Sequence, residues 1–81
     1  MKVVIKNETG LHARPASMLV SEANKFEAEI MIEKNGQTYN AKSIMSIMSS
    51  AISKDDEIEI ISSDSNAVQH IVQFLEELSD H

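Results

Sequence analysis

Cysteine is absent from the 81-residue chain, so disulfides, thiol nucleophiles and thiolate metal sites are excluded together. The lack of cysteine fits a reducing cytoplasm, the compartment expected for this chain. Aromatic residues make up 4% of the chain, which leaves little with which to stack nucleic-acid bases. Basic residues are also few: seven against thirteen acidic ones, for a net charge of −6. That balance argues against a nucleic-acid or anionic-membrane partner. No apolar run approaches the roughly 18 residues of a membrane span. The apolar start Val3-Val4-Ile5 is too short for a signal h-region. Two glycines, one proline and one arginine complete the list of scarcities. The length suits one small domain, residues 1–81, and the 42% apolar fraction is ordinary for a folded one.

Among what is present, hydrophobic periodicity orders the chain. Lys2 to Lys6 reads as a strand and Asn7 to Gly10 as a turn. From Ala13 to Lys25, Ala16, Leu19, Val20 and Ala23 recur at helical spacing. Glu27 to Glu33 alternates, with Ala28, Ile30 and Ile32 on one side, as in a strand with one buried face. Asn35-Gly36 predicts a two-residue hairpin loop, because both positions of a type I′ turn need positive φ. Gln37 to Ala41 is the returning strand. Then Ile44, Met45, Ile47, Met48, Ala51 and Ile52 fill an arc of roughly 160° on a short helix, with Ser43 as its natural N-cap. Glu57 to Ser63 alternates again. A last helix starts near Asp64 or Ser65 and carries Val68, Ile71, Val72, Leu75 and Leu78.

The resulting order is βαββαβα, an α+β chain with helices over one face of a sheet. The open face is expected to carry Glu27, Glu29, Glu33, Glu57 and Glu59. RNA-recognition modules share a similar element order but need aromatics and bases on that face, so an acidic face excludes them. A ferredoxin-like interaction domain is another competitor, and it would place strand 1 beside strand 3.

The chemistry concentrates in Gly10-Leu11-His12-Ala13-Arg14-Pro15-Ala16. With His12 at a helix N-cap, Pro15 falls in the first turn, where its missing N–H costs nothing. The unpaired N–H groups and the positive end of the macrodipole suit an anion such as a phosphoryl group. Arg14 offers a planar fork of donors for phosphate oxygens, and imidazole is a good nucleophile near neutral pH. The bland alternative is an incidental histidine and a solvated arginine. Ser43 poses the same choice between a simple cap and a phosphorylation site. A phosphate there would place about −1.5 to −2 charges beside Ile44, Met45 and Met48, parts of which are expected to stay exposed. His70 reads as a surface or boundary residue and His81 as frayed. Neither is placed to join His12 in a metal site.

The seven residues 10–16, together with Asn40-Ala-Lys-Ser-Ile-Met-Ser-Ile-Met-Ser49, resemble HPr, the histidine phosphocarrier family of the bacterial sugar phosphotransferase system. The likeness runs along essentially the whole chain, and the Lys-Ser-Ile-Met form is similar to that of low-GC Gram-positive bacteria. It implies an open-faced β-sandwich with a four-stranded antiparallel sheet in the order 1-4-2-3 and three helices on one face. It further implies that His12 accepts a phosphoryl group from enzyme I, supplied by phosphoenolpyruvate, and passes it to sugar-specific IIA domains. The chain would then be a carrier and not an enzyme, without cofactor or metal.

By the same resemblance, Arg14 stabilises the phosphoryl group and Ser43 is the target of HPr kinase/phosphorylase. Ala16, Ser17, Ile44, Met45 and Met48 form the docking surface, and the Ser43-phosphorylated form binds a catabolite-control repressor. Ser46 and Ala51 stand where many relatives have glycine, and Asp55-Asp56 replaces a glycine-containing turn. Ser21 and Asn24 stand where some relatives carry basic residues. The paralogous Crh group keeps the regulatory serine but has glutamine in place of the histidine. The alternative reading is therefore a Crh-like regulatory module that retains His12 and acts mainly through phospho-Ser43.

Overall fold

A computed structural model describes residues 1–78, so His81 lies outside the described residues. The elements run β1 (Lys2–Val4), α1 (Ala13–Ala23), β2 (Ile30–Lys34), β3 (Gln37–Asn40), α2 (Ile44–Ser49), β4 (Glu57–Ser62) and α3 (Ser65–Glu76). The four strands form one antiparallel sheet in the order β1-β4-β2-β3. That order excludes the ferredoxin-like arrangement, because strand 1 is an edge strand beside strand 4 and does not lie beside strand 3.

Alternation along the strands decides which face is covered. Val3, Ile30, Ile32, Ile58 and Ile60 are buried under the helices, which contribute Ala16, Leu19, Ile47, Ile71 and Leu75 to the same core. A fully buried Ile or Leu side chain is worth about 1.5–3 kcal/mol over an exposed one. In a chain this short, that one cluster supplies most of what opposes the entropy of folding. Helix α1 packs against both α2 and α3, and α3 lies over β1 and β4. The hairpin forms as expected: Lys34 pairs with Gln37, and Asn35 and Gly36 have φ of 54° and 83°.

Three expectations need correction. The second strand begins at Ile30 and not Glu27. The chain leaves α1 through tight turn bonds from Asn24, Lys25 and Phe26 back to Val20, Glu22 and Ala23. On the sheet, Ile30 already pairs with Ser62, the last residue of β4. Residues 27–29 have no ladder to join, so their alternation is not that of a strand.

The open face is consequently less acidic than expected. Glu33 and Glu59 pair side by side with Lys2 in the same row, while Met31 pairs with Ile61, and Ile61 and Val4 remain exposed. Glu27 and Glu29 lie off the sheet. Finally, α2 ends at Ser49, and Ala51 turns into the left-handed region with φ 53°. Ala51 and Ile52 therefore do not extend the helical apolar arc. Ala51 is exposed and Ile52 joins the core.

Candidate functional site

The site is assembled where a turn feeds α1. Gly10 has φ 61°, and a Cβ placed on it would stand 2.5 Å from the Ile52 carbonyl oxygen and 2.7 Å from Ser53 Cα. Only glycine fits both the conformation and the close approach. The next residue, Leu11, is buried and donates its N–H to Ile52 O at 3.0 Å. The turn is thereby pressed onto Ile52 and Ser53, and His12 emerges from it in an extended conformation (φ −78°, ψ −168°) as the N-cap of α1.

His12 caps with its backbone alone. Its carbonyl accepts from Ala16 N at 2.8 Å, while its side chain makes no capping hydrogen bond. Counting along the helix, Ala13, Arg14 and Pro15 occupy the first three positions. The second or third position supplies the N–H that a cap side chain accepts; at the third, proline has none to give. The single proline thus removes one of the two usual partners of a cap, and the Ala13 and Arg14 amides face out of the helix end. His12 and Arg14 are both exposed, and neither side chain has a hydrogen-bond or ion-pair partner among the described residues. The result is an accessible imidazole, an accessible guanidinium and two amides at the positive end of an eleven-residue helix.

Helix α2 begins differently. Ser43 Oγ accepts from Ser46 N at 3.2 Å, the expected cap. Asn40 builds the approach: its side chain accepts from Lys42 N at 2.8 Å and its N–H donates to Ser46 Oγ at 2.9 Å. Ser46 therefore gains a contact that glycine could not make, tying α2 back to the end of β3. The Lys42 ammonium is directed at the Phe26 carbonyl.

Of the residues expected on a docking surface, Ser17, Ile44, Met45 and Met48 are exposed, Met45 most of all at 77%. Ala16 is not: it is completely buried, facing the core beneath α1. It can support that surface from below but cannot touch a partner. Met18, which the helical pattern did not single out, is exposed. Among the described residues no group of three or more His, Asp or Glu side chains is gathered as metal ligands.

Two polar clusters were not read from the sequence. Lys34 Nζ contacts Asp56 Oδ2 at 3.0 Å and donates to the Ala51 carbonyl at 3.1 Å. The Asp56 carboxylate also accepts from Ser53 N at 2.8 Å. The Ser53 N–H, and then Lys34, hold the Asp56 carboxyl below the usual carboxylate range. Separately, Glu22 on α1 meets His70 on α3 at 2.6 Å, and the His70 ring lies 5.3 Å from that of Phe26. His70 is at the boundary as expected, but it has a specific partner. Its only sequence signal was a histidine on the edge of an apolar helical stripe.

A family model described as the PTS HPr component phosphorylation site matches residues 1–78. The chain belongs to the HPr family. Within that family it is 45% identical over 78 residues to the HPr-like protein Crh of Halalkalibacterium halodurans, covering 93% of each chain. It is 39% identical over 79 residues to the HPr-like protein Crh of Bacillus subtilis, covering 94% of this chain and 93% of that one. The crystal structure of the phosphocarrier protein HPr from Bacillus anthracis superposes with a TM-score of 0.87 at 42% identity, covering 93% of both chains. The sheet order and the three-helix cover match this HPr architecture. Both branches, carriers named HPr and relatives named Crh, are thus represented at similar distance. No helix among the described residues is long and apolar enough to cross a membrane.

Proposed function

We propose that this HPr-family chain is a phosphoryl carrier whose acceptor is His12. One observation carries the reading: the imidazole stands exposed at the start of α1 without a capping bond, beside outward-facing amides and an unpaired Arg14. A ring nitrogen attacks the phosphorus of a phosphorylated donor. The new N–P bond forms as the donor's bond to phosphorus breaks, and the imidazole proton is released. Arg14 and the helix end balance the charge on the phosphoryl oxygens. Reversal toward an acceptor protein completes the carriage, so the chain is itself the intermediate and turns nothing over. The partners this implies are enzyme I, with phosphoenolpyruvate as the source, and the IIA domains of sugar permeases in the cytoplasm. Ser17, Ile44, Met45 and Met48 supply adaptable docking contacts.

The decisive experiment is incubation with enzyme I and phosphoenolpyruvate. The expected product is an acid-labile gain of one phosphoryl mass, absent from His12→Ala. Identical spectra for the two proteins would remove the carrier reading.

A second reading is favoured by the curated relatives named Crh: regulation through phospho-Ser43 by HPr kinase/phosphorylase and a catabolite-control repressor. Ser43 is half-buried at a capped helix end, where added negative charge is tolerated by the dipole. An acid-stable phosphoryl group from ATP and the kinase, lost in Ser43→Ala, is the expected outcome. The two readings are compatible within one molecule.

A further inference from the structure

We propose that Lys34 is a positioning residue for His12, acting across the molecule through residues 51–56. Its ammonium and His12 do not touch; what joins them is a short chain of contacts. Lys34 extends from the end of β2, with its side chain 17% exposed, and reaches two groups on one segment: the Ala51 carbonyl at 3.1 Å and Asp56 Oδ2 at 3.0 Å. Asp56 in turn accepts from Ser53 N, and Ser53 Oγ donates to Ala51 O at 3.1 Å. The middle of this segment is the surface on which the site turn rests, through Leu11 N–H to Ile52 O and the tight approach of Gly10 to Ile52 and Ser53. His12 follows directly.

The segment needs a tether because its backbone is costly. Ala51 at φ 53° and Asp55 at φ 73° are both left-handed without being glycine. For Ala51 that conformation is unfavourable and persists only where the surroundings impose it, while aspartate adopts it more readily. Main-chain bonds between Ile5 and residues 55–56 fix one end of the segment. At the other end, where the chain leaves α2, the Ala51 carbonyl accepts from the Lys34 ammonium and from Ser53 Oγ, and of these two only Lys34 comes from outside the segment. One cation thus clamps both ends of the ledge under Leu11. A shift of the ledge moves the imidazole relative to the α1 amides, and group transfer is sensitive to such displacement.

The part of this inference that concerns reaction rate rests on the carrier reading; the mechanical part does not. The test is Lys34→Met, which keeps the aliphatic stem and removes the charge, with Asp56→Asn as a second variant that breaks the same clamp from the other side. Amide hydrogen exchange at Leu11 is expected to accelerate about tenfold in both, while the sheet amides of Ile30 and Ile32 keep their protection. The His12 ring resonances are expected to shift. Phosphoryl uptake from enzyme I should slow about fivefold to tenfold with KM for enzyme I unchanged, and Lys34→Arg should restore all three.

Leu11 exchange that is unaltered, or that rises only in step with Ile30 and Ile32, overturns the proposal. So does an unaltered transfer rate alongside a faster Leu11. If the wild-type chain accepts no phosphoryl group, the carrier reading fails on its own, and Leu11 exchange with the His12 resonances still decides whether Lys34 positions that ring.

Discussion

The three helices of this protein begin in two ways. Helices α2 and α3 are closed by their own chain: Ser43 accepts from Ser46 N, and Asp64 accepts from both Asn66 N and Ala67 N. Helix α1 has a histidine at the same position whose side chain accepts nothing, and a proline where one of the cap's two usual partners would be. The closed ends spend their orphan amides on stability. The open end leaves them for something outside the chain. Each start has N-terminal polarity of the same kind, so the difference lies in which side chain occupies the cap and whether an N–H waits for it.

The comparison breaks most sharply at His12. His12→Ala should abolish phosphoryl uptake yet leave the free energy of unfolding within about 0.5 kcal/mol of wild type, since no capping bond is lost. His12→Ser sharpens the contrast. A serine there can close the end on the Arg14 N–H and should stabilise by about 0.5–1 kcal/mol in urea unfolding while still accepting nothing on a ring nitrogen. A clear loss of stability in either variant would mean that the α1 end was not open. At the opposite extreme, Asp64→Ala removes a doubly bonded cap and should cost about 1–2 kcal/mol with phosphoryl uptake unchanged. Ser43→Ala removes a singly bonded cap, for about 1 kcal/mol, together with the acid-stable phosphoryl group.

The difference between the helix starts was partly legible before any coordinates. Ser43 as a cap followed from a polar residue preceding an apolar helical run, and the Asn35-Gly36 hairpin followed from turn chemistry; both are local. The idle His12 side chain was not legible, because a histidine at an N-cap is compatible with either role. Long-range pairing was the harder part. The sheet order came only from resemblance, since periodicity says which face of a strand is buried and nothing about its neighbour. Residues 27–29 show the limit plainly: their alternation is strand-like, yet β4 has already ended opposite Ile30. Ala16 shows another. It belonged to a motif that implied docking, but the helical stripe that placed it with Leu19 and Ala23 also required it to be buried, and the stripe prevailed. Lys34 and Asp56 carried no sequence signal of their pairing, because the segment that unites them is defined by backbone conformation.

The far end of α1 supplies the smallest and last test. That helix is open where it starts and tied near its C-terminal end, where Glu22 meets His70 of α3, 48 residues away in sequence. The hydrogen bond from His70, then that from Lys25, holds the Glu22 carboxyl below its ordinary value of 4.5. A carboxyl depressed in the folded state binds its proton more weakly there than in the unfolded chain. Its contribution is therefore complete above the unfolded value and is lost as pH falls through the folded one. The Glu22 and His70 side chains are 24% and 40% exposed, so solvent screening keeps the gain small, about 0.5 kcal/mol at pH 7. Glu22→Gln should lose that amount in urea unfolding at pH 7, and the gap to wild type should close as pH is lowered below 4.5. Phosphoryl uptake should not change, because the tie sits at the end of α1 remote from His12. A gap that persists unchanged in acid would show that Glu22 contributes through packing and not through its charge.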